Sequence, residues 1–251
     1  MIIGNEFSIR DKAILTGLYL SKFDEDGLTA LGFEGFTQAF NVLGYSLGTK
    51  PASIKNYRDE FDPYFPNPRK GWHKRIIREY CREFLNDFSS LNLGPFTDLI
   101  KSFVIRDYDI EKLIERIEEK DKSESVARRL VTGRAAEEYF KSNYHTVDNF
   151  LNFDLKDATA LACGFDFKLS LHSEYYCVEV KGLNSNFGSI SLTEKEFSVA
   201  NEMRKRYCLF IVRNFVETPN HQLFFDPLHS SLSFKRIERR VTQINYATSI
   251  V

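Results

Sequence analysis

Between residues 164 and 213 the spacing of apolar residues changes from two to nearly four and then to an unbroken run. That order limits which layers the segment can build. Residues 164–171 (GFDFKLSL) and 175–181 (YYCVEVK) read as strands, and His172-Ser173-Glu174 is short enough to make them an antiparallel hairpin. A Gly/Asn/Ser-rich loop at 182–189 follows. Thr193 with Glu196 three residues later then has the pattern of a capping box, in which side chains satisfy free amides at a helix start. Phe197, Ala200, Met203 and Tyr207 supply the buried face of that helix, and Cys208-Leu209-Phe210-Ile211-Val212 reads as a buried strand. Strand, helix and strand in this order predict a right-handed crossover with parallel strands. The C-terminal half is therefore expected to be α/β, opened by a helix over 125–143 with Val126, Leu130, Ala136 and Phe140 along one side.

The N-terminal half has a different rhythm. Helical spacing is read over 8–21, with a break near Gly27 in the acidic turn Asp24-Glu25-Asp26-Gly27. Further helices are read over 35–44, over 49–61 with Pro51 near its start, and over 72–88. Short helices joined by Gly-containing turns suggest a helix-turn-helix unit. Residues 107–124 alternate in charge and suit a solvated connector. The expected organisation is a helical part over 1–106, a linker helix over 107–124 and an α/β part over 125–251.

Composition excludes several classes. A net charge of −1 argues against a generic nucleic-acid coat. The four cysteines form no CxxC pair, so neither a zinc cluster nor a disulfide framework is expected. No apolar run approaches the ~20 residues of a membrane span, and no signal peptide is read. The expectation is a cytoplasmic protein without a membrane partner. Charge is nonetheless segregated. Residues 50–82 hold nine basic residues against four acidic, whereas 1–49 hold three against six. Within that basic segment Lys55, Asn56, Arg58, Arg69, Lys70, Lys74, Arg75 and Arg78 are candidate DNA contacts, with Asn56 and Arg58 placed to read base edges. Lys235, Arg236, Arg239 and Arg240 form a second basic cluster.

Strand alternation puts Val178 and Val180 on one face of the sheet and Cys177, Glu179 and Lys181 on the other. Hairpin pairing can bring Asp166 beside Glu179. Two adjacent carboxylates repel unless a cation lies between them, and hard oxygen donors without nearby His or Cys favour Mg2+. Such a site would activate water and stabilise charge on a phosphodiester, with Lys181 orienting the water or holding a phosphate oxygen.

Asp166 followed by Val178-Glu179-Val180-Lys181 resembles the PD-(D/E)XK nuclease signature, with Gly164-Phe165-Asp166 in place of Pro-Asp. The wider block GRAAEEYF, GFDF, VEVKG and SLTEKEFSVANEMRKRYCLFIV is similar to the nuclease-like domain at the C-terminus of NO VEIN proteins, which recurs in bacterial restriction systems. The resemblance covers about 125–215. It implies a PD-(D/E)XK nuclease core of the α/β (α+β) class, preceded by a mostly helical, helix-turn-helix-like domain. It places Asp166, Glu179 and Lys181 in catalysis and Asp166, Glu179 and Val180 at an Mg2+ ion. A further acid is implied on the preceding helix, for which Glu137 and its neighbour Glu138 compete. The activity implied is that of a type II restriction endonuclease cutting double-stranded DNA as a homodimer, with a cognate DNA methyltransferase in the same system. A modification-dependent restriction enzyme shares every motif. A non-catalytic DNA-binding protein with a degenerate nuclease fold is a rival reading, as is an RNA- or structure-specific nuclease.

Overall fold

The computed structural model describes residues 7–69, 71–72, 75–104 and 123–238, excepting the side chains of 123–131. Lys70, His73, Lys74, residues 107–122 of the expected linker, the side chains of Val126 and Leu130, and Arg239 and Arg240 lie outside the described residues. The chain is mixed α+β, with a helical N-terminal part and a five-stranded sheet in the C-terminal region.

Helix α1 (Ile9–Leu31) starts at Ser8, whose hydroxyl accepts from Asp11 N–H while the Asp11 carboxylate accepts from Ser8 N–H. It bends at Asp24, which has φ 46°, and then resumes to Leu31, so the interruption lies three residues before the expected Gly27. Helix α2 (Phe36–Ser46) continues through Gly44, and α3 (Pro51–Phe61) begins on its proline as expected. Helix α4 (Glu79–Phe88) is shorter than the helix read over 72–88. Glu60 draws Arg75 and Arg78 onto its carboxylate and accepts from Arg78 N–H (2.8 Å), so the chain enters α4 extended and Ile76 is left 81% exposed. Helix α5 (Leu93–Val104) falls in a stretch for which the sequence reading assigned no element.

Helix α6 (Ser123–Asn143) precedes β1 (Asp154–Asp157), β2 (Phe167–Leu171) and β3 (Glu174–Gly182). Helix α7 (Glu194–Met203) then leads to β4 (Tyr207–Arg213) and β5 (Asn220–Phe225). Strand order is β1-β2-β3-β4-β5, antiparallel throughout except for the parallel pair β3–β4. The hairpin and the crossover follow the sequence reading. Strands β1 and β5 were not read from the sequence.

In the C-terminal region the core lies between the sheet and α6. Phe140 packs its ring on Phe167 at 5.0 Å and edge-on to Phe210 at 4.9 Å. Truncating such a fully buried ring costs about 3–5 kcal/mol. Apolar packing is continuous with the helical part, where Tyr45 of α2 sits edge-on to Tyr139 of α6 and to Phe215 beyond β4. Asn41 Nδ2 donates to the carbonyls of Phe215 (2.8 Å) and Glu217 (2.9 Å), giving that contact a polar register. The four cysteines are free, three of them buried. Among the described residues no helix is long and apolar enough to cross a membrane.

Candidate active site

The pleat of β3 sorts its side chains as the alternation requires. Val178 and Val180 enter the main core, while Cys177 joins Ala200 and Tyr207 in a smaller cluster under α7. Glu179 and Lys181 share the Cys177 face, in parallel register with Leu209 and Ile211 of β4. Helix α7 covers this face only in part. Ala200 is buried, but Phe197, expected inside, is 44% exposed and meets Phe234 edge-on.

Asp166 stands just before β2 and continues the hairpin. Its N–H donates to Val178 O (3.0 Å), its carbonyl accepts from Ala158 N–H (2.8 Å), and its Oδ2 accepts from Val180 N–H (2.9 Å). The carboxylate is thereby pinned across the strand, one residue from Glu179. Gly164 sets the entry to this segment with φ +95°, and a Cβ there would come within 2.7 Å of Val199 Cγ2. Its carbonyl accepts from the buried hydroxyl of Tyr207 (3.0 Å).

Lys181 Nζ donates to Glu179 Oε1 at 2.6 Å and to Glu196 Oε2 at 2.8 Å. Glu196 comes from the first turn of α7, where its carboxylate also accepts from Thr193 N–H (3.0 Å). The structure therefore brings together Asp166, Glu179, Lys181 and Glu196. In the sequence Glu196 is fully accounted for as a helix cap and is not among the expected site residues. Its pairing with Lys181 arises from the crossover and leaves no local pattern.

The charges here are poorly solvated. Glu179 is 3% and Asp166 7% exposed. Burial first, and the neighbouring Asp166 charge second, push the Glu179 carboxyl well above its ordinary value; Lys181 offsets this only in part. Burial alone would lower the Lys181 ammonium, but Glu179, Glu196 and Asp166 together hold it above its usual value. Burial opposes ionisation of Glu196 too, yet Lys181 and the Thr193 amide keep it below the usual carboxylate range. The Tyr207 phenol is raised by burial and then by the same three carboxylates.

Among the described residues no group of three His, Cys, Asp or Glu side chains forms a ready metal cage. The donor chemistry fits a hard divalent cation in another way. Asp166 and Glu179 bring two buried carboxylates together, and burial with this local excess of negative charge makes Glu179 resist ionisation. A cation would relieve that excess. Val180, whose side chain is 5% exposed and lies in the core, has only its main-chain carbonyl to offer.

Glu137 is buried on α6, one residue beyond Ala136. This turn of α6 abuts the end of β3, since a Cβ on Gly182 would meet Thr132 O at 2.7 Å and Ala136 Cβ at 3.1 Å. Glu137 lies 3.4 Å from Arg134 Nη1. Glu138 pairs with Arg134 (2.6 Å) and with Lys141 (3.0 Å), which in turn reaches Asp157 (2.8 Å).

The basic segment is arranged differently from its sequence assignment. Arg58, read as a base-edge contact, is 8% exposed, pairs with Asp59 and Asp62, and stacks over Phe36 and Phe40. Arg69 binds Asp62 and Asp24, while Arg75 and Arg78 bind Glu60. These arginines hold the helical part together through internal carboxylates. Lys55 and Asn56 are exposed on α3.

Residues 134–225 match the family model described as Protein NO VEIN, C-terminal. The match starts within α6 and ends on the last residue of β5. It spans the whole sheet together with Asp166, Glu179, Lys181 and Glu196, and covers well under half of the chain. No curated protein and no solved structure matches the chain significantly.

Proposed function

We propose that the chain is a metal-dependent endonuclease of the restriction type, built on a NO VEIN C-terminal domain related to the PD-(D/E)XK nucleases. The observation that carries this reading is the convergence of Asp166, Glu179 and Lys181 across the hairpin, with Lys181 Nζ 2.6 Å from Glu179 and Asp166 fastened to Val180 N–H.

Asp166, Glu179 and the Val180 carbonyl would hold Mg2+, which when bound supplies an activated water and charge neutralisation at a phosphodiester. Lys181 brings a permanent positive charge to the same face. There it can hold a nonbridging phosphate oxygen and orient a water for in-line attack. Glu137, on the helix turn that abuts β3, is the further acid in this reading.

Double-stranded DNA is the proposed substrate. Lys55 and Asn56 are its first proposed contacts from α3, because the arginines beside them already serve internal carboxylates. Cutting both strands of a symmetric site calls for two such centres, so a homodimer is proposed, acting beside a cognate methyltransferase.

The test is cleavage of duplex DNA with Mg2+ by Lys181→Ala. This reading expects cleavage to fall by at least about a hundredfold while fold and DNA affinity persist. Undiminished cleavage would remove Lys181 from the chemistry. Cleavage only of methylated duplex would select the modification-dependent form of the same reaction.

A further inference from the structure

Lys181 is held by two carboxylates, and only one of them belongs to the proposed cation site. Its side chain is 15% exposed, so the ammonium is largely withdrawn from water and must keep an anionic partner. If Glu179 were that partner alone, a cation at Glu179 would compete for its charge with a 2.6 Å ion pair and weaken the lysine's sole anionic contact. Glu196 removes that conflict, because it reaches Nζ at 2.8 Å from a different element.

Glu196 is also well fixed for such a task. Its Oε2 accepts from Thr193 N–H (3.0 Å), and its own N–H donates to Thr193 Oγ1 (3.2 Å), so both ends of the residue are tied to the start of α7. A carboxylate in the first turn of a helix is further favoured by the amide dipoles there. The Thr193 N–H thus aims one carboxylate at one ammonium.

We infer that Glu196 is a positioning residue that docks the Lys181 ammonium and thereby leaves Glu179 open to a divalent cation. The inference rests on the reading of Asp166 and Glu179 as the cation site. Lys181 and Glu196 then form a neutral pair at the rim of that site, with the lysine aimed whether or not the cation is bound. Without Glu196, the lysine charge falls on Glu179 and competes with the cation for it.

The test uses the full chain without DNA, titrated with Mn2+ in a calorimeter. Glu196→Gln keeps the acceptor to Thr193 N–H and removes only the charge. It is expected to weaken Mn2+ binding about tenfold, the range typical of groups that support metal ligands. Adding Lys181→Met in that background should recover most of the loss, and should raise affinity more than Lys181→Met does alone. Thr193→Ala keeps the main-chain N–H that holds the Glu196 carboxylate and loses only the hydroxyl that caps the Glu196 amide, so it should bind Mn2+ as the parent does. Parental affinity in Glu196→Gln, or effects of the two substitutions that simply add, would overturn the inference while leaving the cation site standing. A parent chain that takes up no Mn2+ would overturn the cation site itself, and the inference with it.

Discussion

Asp166 and Val180 are joined across the hairpin by a 2.9 Å hydrogen bond from the Val180 amide to Asp166 Oδ2. This bond fixes the carboxylate of the site's first acid across the hairpin, at the residue just before β2. It also divides Val180 between two functions. The side chain fills the core, and the main chain serves the carboxylate.

Glu179 carries an excess of negative charge that the metal-free protein must tolerate. Its folded carboxyl holds a proton more tightly than in the unfolded chain, owing to burial and then to Asp166. The folded state therefore binds more protons above the ordinary value of 4.5, and metal-free stability falls as pH rises from there. Glu179→Gln should abolish that slope and raise metal-free stability near neutral pH, by on the order of 1 kcal/mol. Chemical denaturation at a series of pH values above 4.5 checks it.

Glu60 behaves oppositely. Burial opposes its charge, but Arg78 and Arg75 more than compensate and hold its carboxyl below the ordinary value. Its stabilisation is present above 4.5 and is lost as pH falls through the lowered folded value. Glu60→Gln should cost about 3 kcal/mol, because Arg78 and the Arg78 amide lose a buried anionic partner. The cost should shrink in acid, as urea melts at two pH values would register.

Gly164 is held at φ +95° against Val199. Gly164→Ala meets both a strained backbone and an overlap, and should destabilise the fold by about 2 kcal/mol. The damage should spread to Asp166, two residues on, so cleavage should fall by more than the loss of folded protein explains. Paired measurements of folded fraction and cleavage rate separate the two.

On α3, Lys55→Ala should lower the dependence of DNA binding on salt by about one unit of slope, uniformly across sequences. Asn56→Ala should instead relax preference at one base pair. Arg58→Ala should act through stability, since its guanidinium is buried over Phe36 and Phe40. Binding isotherms at several salt concentrations, beside melts of each variant, distinguish these roles.

The hairpin, the Thr193 cap and the strand from Tyr207 were legible because each has a local cause: alternation, a capping pair and a continuous apolar run. Asp166, Glu179 and Lys181 were legible for the same reason, as strand alternation alone puts the last two on one face. Strand β1 left little trace because Asp154-Leu155-Lys156-Asp157 is an exposed edge with one apolar residue. The start of α4 was obscured by tertiary ion pairs, with Arg75 and Arg78 reaching back to Glu60. The same pairs show why a basic run in sequence is a poor guide to a basic surface. Glu196 was hidden because a sufficient local explanation, the helix cap, already accounted for it.

The most direct test is conversion of supercoiled plasmid, methylated and unmethylated, by the purified chain with and without Mg2+, beside folded Asp166→Asn. The account predicts cleavage that needs Mg2+ and is lost in Asp166→Asn. Plasmid left intact by the parent chain under every condition, or cut as fast by Asp166→Asn as by the parent, would contradict it.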